Sequence, residues 1–172
     1  MDKILPGLAM LAIIAVVFVL LAIGWRSRLR RQSDVDRLPA VPAEPGEPIA
    51  GAEGQYVATT TAGDWLDRIA VHGLGIRTNA TLEVFPHGVL FDRSGAPALY
   101  IPAASLTGVR QDSGMAGKFV EKDGLVVLAW VHGSHELDSG FRTRRAADKD
   151  RLFEALQDLI SSAPAADANS GK

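Results

Sequence analysis

The stretch GLVVLAWVHGSHELDSGFRTRRAADKDRLFEALQDLIS, residues 124–161, decides the fold of this chain. It begins with a continuous apolar run over 125–131, turns at Gly133 and Ser134, and continues as a second strand over 136–141. After residue 145 the hydrophobic period becomes that of a helix, with apolar side chains at 152, 153, 156, 159 and 160. A hairpin followed directly by one amphipathic helix predicts a sheet against which the helix packs.

The residues before this stretch have the hydrophobic period of strands and are punctuated by turn residues. Residues 65–76 fit either a strand or a short helical turn, and we favour a strand that begins near Asp67. Trp65 and Trp130 are expected in the core, because a buried indole removes a large apolar area from water. The predicted strands are 55–61, 80–84, 89–91, 98–101, 106–110, 125–131 and 136–141.

A long apolar run lies near the N-terminus. Residues 4–24, ILPGLAMLAIIAVVFVLLAIG, carry no charged side chain, and a helix of this length at about 1.5 Å per residue reaches the ~30 Å of a bilayer core. A cleaved signal peptide is the alternative, but the run exceeds the ~7–15 residues of a signal core and ends without a small-residue cleavage site. The sequence therefore predicts a transmembrane helix over 4–24.

The residues that directly follow this run predict its orientation. An excess of arginine beside an apolar span marks the cytoplasmic side, and tryptophan is typical of the headgroup region. We therefore expect a single-pass plasma membrane protein with its N-terminus outside and its C-terminal domain in the cytoplasm. The predicted membrane-interface residues are Trp25, Arg26, Arg28, Arg30 and Arg31.

Residues 25–54 are predicted to form a basic juxtamembrane segment and a proline-rich linker. Prolines recur every third residue in PAVPAEPGEP, residues 39–48, and this period matches a polyproline II helix. Such a segment is expected to be a semi-rigid spacer. The domain that follows is predicted over 55–161, and residues 162–172 are predicted to be a disordered tail.

About seven antiparallel strands capped by one C-terminal helix is the order of a pleckstrin-homology-like (PH-like) barrel. An open sheet or sandwich with one packed helix is the alternative fold. Several segments resemble the actinobacterial membrane-anchored PH-like domain proteins, and the resemblance implies an anchor, a linker and a PH-like domain. It carries over no catalytic residues. These segments are TTTAGDWLDRIAVHGLG (59–75), IPAASL (101–106), GMAGKFVE (114–121), GLVVLAW (124–130) and LDSGFR (137–142).

No signature of an enzyme is complete in this sequence. Cysteine nucleophiles are excluded because the chain has no cysteine, and no GxSxG elbow occurs. His132 and His135, with Glu136 and Asp138 nearby, lack the second ligand cluster of a metal site. We therefore predict a non-enzymatic protein without metal or cofactor.

A binding module is the function class that remains, and its net charge of -2 argues against nucleic acid as the ligand. One candidate site is a loop rich in small residues, and the other is a group of basic residues near the start of the C-terminal helix. The candidate partner-binding loop consists of Ser113, Gly114, Met115, Ala116, Gly117 and Lys118. The candidate anion patch consists of Arg142, Arg144, Arg145 and Lys149.

The function predicted from the sequence is that of a membrane-tethered cytoplasmic adaptor or scaffold that binds a protein partner through the loop or an exposed barrel edge. Tethering raises the effective concentration of such a partner at the bilayer. Two alternatives stay open: a module that senses anionic lipid or a small ligand through the basic residues, and an accessory subunit of a membrane transporter.

Overall fold

The structure, a computed structural model, describes residues 4–31, 37–119 and 121–163. The chain divides into two compact units, an N-terminal one that ends at Asp34 and a second one from Val35 onward.

The N-terminal unit contains one helix, α1, which extends over Ile4–Arg31. Its large apolar side chains between residues 10 and 24 are exposed around its circumference, with Phe18 at 69% and Leu11 at 64%. Among the residues whose side chains the structure describes, no helix is both long enough and apolar enough to cross a bilayer. The predicted transmembrane helix over 4–24 is therefore not confirmed.

The second unit is built on a seven-stranded antiparallel sheet in the order β4-β3-β2-β1-β9-β8-β5, with β4 and β5 at its edges. A two-stranded hairpin, β6–β7, is inserted between β5 and β8. This confirms a mainly β domain with about seven strands and one C-terminal helix. The strands are β1 Ala50–Thr61, β2 Thr78–Phe85, β3 Gly88–Arg93, β4 Leu99–Pro102, β5 Leu106–Asp112, β6 Gly114–Met115, β7 Lys118–Phe119, β8 Leu125–His132 and β9 His135–Thr143.

Strand β1 joins the two halves of the sheet. It pairs with β2 through its first half and with β9 through its second half, and the register with β9 shifts between Tyr56 and Ala58. Such an irregularity bends a strand and increases its twist. The same strand can therefore belong to both halves of the sheet.

The C-terminal helix, α2, extends over Ala146–Ser162 and packs against β1, β2, β5 and β9. Leu152, Leu156 and Leu159 are its buried residues, and they enter the main core together with Trp130. Asp148 lies in its first turn, where a negative charge interacts favourably with the positive end of the helix dipole. The predicted amphipathic helix is confirmed.

A second, smaller core lies apart from the main one. Val57, Leu125 and Val127 form it, and Met115 of the β6–β7 hairpin covers them. An added Cβ at position 140 would meet the Met115 sulfur, so the flexible Met115 side chain would have to shift for the hairpin to stay closed on the sheet.

Two predicted strands differ from the structure. Strand β1 begins at Ala50 and not at Gln55, because Ala50 to Gly54 pair with β2. The strand favoured near Asp67 is wrong, since only an isolated bridge between Thr60 and Arg68 and a short 3-10 turn at Val71–Gly73 form there. Consequently the β1–β2 connection covers residues 62–77.

The proline-rich segment over 37–49 has no helix or strand, and it lies along the domain. Leu38 packs against the main core. Pro39, Pro42 and Pro45 are partly buried, and the residues between them are exposed. Three of the four prolines are thus partly buried, and Pro48 is exposed.

Candidate functional site

The candidate partner-binding loop is not an open loop. Gly114 pairs with Phe119 and Met115 with Lys118, and the turn between them places Ala116 at φ 52° and Gly117 at φ 75°. Two consecutive positive φ values are typical of a tight hairpin turn. Met115 is only 2% exposed, so its side chain is not available to a partner.

This hairpin is fixed to the β1–β2 connection by its turn. The amide of Ala116 donates to the carbonyl of Trp65 at 2.7 Å, and the Arg68 guanidinium donates to the carbonyl of Ala116 at 3.0 Å. Trp65 itself is 41% exposed, so its predicted place in the core is wrong, whereas Trp130 is buried as predicted.

An ion pair occupies the outer face of the sheet beside this hairpin. Arg110 of β5 reaches Asp138 of β9 with both terminal nitrogens, at 3.0 and 2.8 Å, and the Gly63 amide also donates to this carboxylate, at 3.4 Å. Asp138 is almost fully buried. The hydrogen bond to Asp138 raises the pKa of Arg110, as do the charges of Asp138 and Asp112.

Two depressions lie on either side of this ion pair. The first, which we call the Trp65 pocket, has a volume of about 300 Å³ and is lined by Thr60, Trp65, Arg110, Asp112, Ser113 and Asp138, among others. The second, which we call the Glu136 pocket, has a volume of about 430 Å³ and shares Gly63, Arg110 and Asp138 with the first.

Thr60 distinguishes the Trp65 pocket from an ordinary surface depression. Thr60 is fully buried, and its hydroxyl has no hydrogen-bond partner within the described part of the chain. The neighbouring Thr59 is also fully buried, but its hydroxyl bonds to those of Tyr56 and Ser139, each at 2.6 Å. The contrast shows that the barrel has satisfied one of two adjacent hydroxyls and not the other.

Tyr56 organises the polar network inside the barrel. Its hydroxyl donates to the carbonyl of Leu74 at 2.9 Å, and the Arg93 guanidinium lies 4.8 Å from its ring centre. Burial raises the pKa of Tyr56 to about 12. Trp130 completes the network by donating its indole N–H to Ser139 at 3.0 Å. These groups hold β1, β8 and β9 together, and their hydroxyls are bonded to one another in the core, so we assign them to the fold.

The residues of the candidate anion patch are brought together only in part, and each has a partner. Arg142 pairs with Glu121 at 2.8 Å, and Arg144 pairs with Glu53 at 3.1 Å. Arg145 pairs with Asp148 at 2.9 Å, and the Lys149 ammonium donates to the carbonyl of Asp123 at 3.0 Å. An anion would therefore compete with acceptors already in place.

Three of these cations border a cleft with a volume of about 720 Å³. Glu53, Asp92 and Glu121 line the same cleft, so its carboxylates balance its cations. Hydrogen bonds from the backbone of Glu121 and from Arg142 lower the pKa of the Glu121 carboxyl. The cleft is polar and charge-balanced.

Among the described residues, no three side chains of the His, Cys, Asp or Glu type approach closely enough to hold a metal ion. His132 pairs with His135 across the β8–β9 turn, and Asp138 faces Arg110 instead.

Sequence reasoning missed Thr60, Trp65 and Arg110 as site residues. Arg110 and Asp138 are 28 positions apart, and their contact depends on the packing of three strands. No motif in the local sequence indicates that these two charged side chains meet. The turn at Trp65 could have been predicted, because the preceding Asp64 is a typical turn residue. The Leu66 and Asp67 amides donate to the Asp64 carboxylate, and this turn keeps Trp65 out of any strand.

The fold is similar to several solved structures of low sequence identity. A chain of the 8S snRNP assembly intermediate aligns with a TM-score of 0.50 and 10% identity, over 78% of this chain and 97% of that one. The C-terminal phosphotyrosine interaction domain of mouse APBB2 has a TM-score of 0.47 at 9% identity, over 76% and 99%. A C-terminal domain of an unknown protein from Leishmania infantum has a TM-score of 0.44 at 10%, over 67% and 85%.

No curated protein matches this chain in sequence. The model of one family, described as bacterial PH domain-like, matches residues 35–157. This range contains β1 to β9 and most of α2. The chain therefore belongs to the bacterial PH domain-like family.

Proposed function

We propose that this protein is a non-enzymatic adaptor that binds a protein partner through the edge of β5 and holds it at a membrane. The observation that carries the proposal is the sheet order, in which β5 is an edge strand of seven residues. An edge strand presents unpaired backbone groups to which an extended peptide can add. The other edge strand, β4, has four residues and ends at Pro102, so it is the poorer template.

Membrane attachment is part of this proposal and rests on the N-terminal unit. Helix α1 has 28 residues, and its apolar side chains over 10–24 are exposed on all sides. Water is an unfavourable environment for such a helix. Extraction of membranes with alkaline carbonate tests the attachment: we expect the full-length chain to stay in the pellet, and its recovery in the supernatant would rule out a spanning anchor.

The partner is tested by in-cell crosslinking and affinity purification in mild detergent. We would compare the full-length chain with residues 35–172, which keep the whole second unit. A soluble protein recovered with both is the expected result. A multi-span protein recovered only with the full-length chain would favour the accessory-subunit function, and recovery of no protein with either chain would contradict the adaptor.

A substitution at Thr107 makes this experiment specific for the β5 edge. Thr107 lies in the irregularity between Leu106 and Gly108, where the register with β8 shifts. Proline is tolerated at such positions and removes one backbone donor from the edge. We expect Thr107→Pro to lower partner recovery, and Thr107→Ala, which keeps the donor, to leave it unchanged. Equal recovery with both variants would exclude the β5 edge.

The 720 Å³ cleft supports a second candidate, the binding of a small ligand or an anionic headgroup. Arg142, Arg144 and Lys149 at its border would supply the charge, although each already has a partner. Reversing the charge at Arg144 and Arg145 tests this function. The chain used is residues 35–172, which lack the N-terminal helix. A loss of its flotation with anionic liposomes would support this function, and unchanged flotation would exclude it.

A further inference from the structure

The Trp65 pocket contains a polar group that the fold itself does not use. Thr60 is fully buried, lines the pocket, and has a hydroxyl without a partner in the described part of the chain. A buried hydroxyl that forms no hydrogen bond lowers the stability of a protein. The oxygen is covered in the unbound chain, so a ligand reaches it only when the pocket wall moves. A bond to such a ligand would remove that cost, so the group indicates a binding site.

The charges around Thr60 indicate the sign of such a ligand. The pocket is lined by two carboxylates, Asp112 and Asp138, and by one cation, Arg110. Asp138 accepts hydrogen bonds from both terminal nitrogens of Arg110, so these two charges balance each other. The negative charge of Asp112 is then in excess. Asp112 is 3.8 Å from the Arg110 Nε and its side chain is 42% exposed, so it remains open to a further cation.

The Glu136 pocket extends this negative character. It shares Arg110 and Asp138 with the Trp65 pocket and adds the exposed Glu136. Three carboxylates and one arginine thus line the two depressions. The field at this surface attracts a cation and repels an anion.

The remaining walls suit the body of a basic side chain. Trp65 lines the pocket and is partly exposed, and a tryptophan face attracts a cation held near it. The volume of about 300 Å³ accommodates one side chain and not a large metabolite. An ammonium group is compact and donates three hydrogen bonds, for which Thr60 and Asp112 offer acceptors.

We propose that the Trp65 pocket binds the ammonium group of a lysine side chain from the protein partner. This inference rests on the proposed function, because it names the residue type through which the partner is recognised. Asp112 is the last residue of β5 and lines the pocket, so the pocket adjoins the edge to which the partner would add.

The test is a titration of the full-length chain, labelled with nitrogen-15 and held in neutral detergent micelles. The probes are the blocked tripeptides Gly-Lys-Gly, Gly-Gln-Gly and Gly-Glu-Gly, and ethanolamine phosphate as a lipid headgroup. We expect the lysine peptide alone to cause saturable shifts of the Trp65 indole and of the Gly63 and Gly114 amides, and these shifts to weaken as salt is added.

Two variants assign the binding to the named groups. Thr60→Val keeps the shape of the side chain and removes the hydroxyl, so we expect about a tenfold loss of affinity for the lysine peptide, as for one hydrogen bond to a charged group. Asp112→Asn keeps an oxygen for the Ser113 and Gly114 amides and removes the charge. It should weaken binding and reduce its dependence on salt.

Thr78→Val is the matched control. The Thr78 hydroxyl is also buried without a partner among the described residues, but Thr78 is not part of the Trp65 pocket. We expect both valine variants to unfold at the same temperature as the parent or higher, and only Thr60→Val to lose affinity. Unchanged affinity in Thr60→Val, or equal loss in Thr78→Val, would overturn the proposal.

The probes separate this inference from the proposed function. Equal binding of the glutamine peptide would show that charge plays no part, and binding of ethanolamine phosphate as tight as that of the lysine peptide would assign the pocket to lipid; either result overturns the inference. If Thr60→Val loses the lysine peptide but a crosslinked partner is recovered undiminished, the adaptor function stands and the pocket is not its recognition site.

Discussion

At the scale of single residues, Tyr56 determines how the domain responds to alkaline pH. Its hydroxyl is buried, and burial raises its pKa from 10.0 to about 12. Between these values the folded chain binds a proton that the unfolded chain releases. The contribution of Tyr56 to stability is therefore complete below pH 10 and is lost as the pH rises toward 12.

We expect the free energy of unfolding to fall by about 2 kcal/mol over this interval, since one pKa unit corresponds to about 1.4 kcal/mol. Urea denaturation of the chain at several values between pH 9 and pH 12 measures it. Tyr56→Phe is the control, because it removes the titrating group and should flatten the curve. An equally steep fall in this variant would place the effect elsewhere.

Single residues also show where sequence reasoning stops. The burial of Trp130 was predictable, because an apolar run surrounds it. The exposure of Trp65 and the unpartnered hydroxyl of Thr60 were not, since both depend on contacts with distant residues. Hydrogen bonding differs between Thr59 and Thr60 although the two are adjacent and identical in type.

At the scale of elements, the pairing of β1 with β9 depends on a glycine. At Gly54 a Cβ atom would lie 2.8 Å from the Phe141 ring and would collide with the Arg142 carbonyl. Backbone cannot move aside as a flexible side chain can. We therefore expect Gly54→Ala to destabilise the domain by about 2–3 kcal/mol.

Gly51 in the same strand provides the control. There the nearest atom to an added Cβ is the Leu82 carbonyl oxygen, at 3.4 Å, which is an ordinary contact. Gly51→Ala should change the free energy of unfolding by less than about 0.5 kcal/mol. Chemical denaturation of both variants measures the difference, and similar values for the two would contradict the proposed crowding at Gly54.

Elements with a clear hydrophobic period were predictable, and the others were not. The alternation in β2 and the apolar run of β8 predicted these strands, and the spacing of leucines predicted α2. The β6–β7 hairpin has strands of two residues each, which are too short to show a period. For this reason residues 113–118 were predicted as an open loop, and the burial of Met115 was missed.

At the scale of the whole molecule, the proline-rich segment contributes to the domain. Leu38 packs on the main core, and the Ile49 amide donates to the Val84 carbonyl at 2.8 Å. The family match also begins before this segment, at residue 35. Composition predicted a spacer because large apolar residues are rare here. The contact of the single residue Leu38 with the main core was not predicted.

Truncation tests this role of the segment. We expect a chain that begins at residue 35 to be more stable than one that begins at residue 50, by about 1–3 kcal/mol, because the latter lacks the Leu38 contact. Thermal unfolding of the two chains measures it. Leu38→Ala in the longer chain is the control, and it should lower the stability of that chain by much of the same amount. Identical midpoints would show that the segment only lies beside the domain.

The position of Met115 has a consequence for the chemistry of oxidation. The chain has no cysteine, so the Met115 thioether is the only sulfur between residues 37 and 163, and it is buried against Gly140. A peroxide can reach it only when the hairpin lifts from Val57 and Val127. The sulfoxide is polar and would not fit the small core again. The extent of Met115 oxidation would therefore increase with the number of times that the hairpin has opened during the life of each molecule.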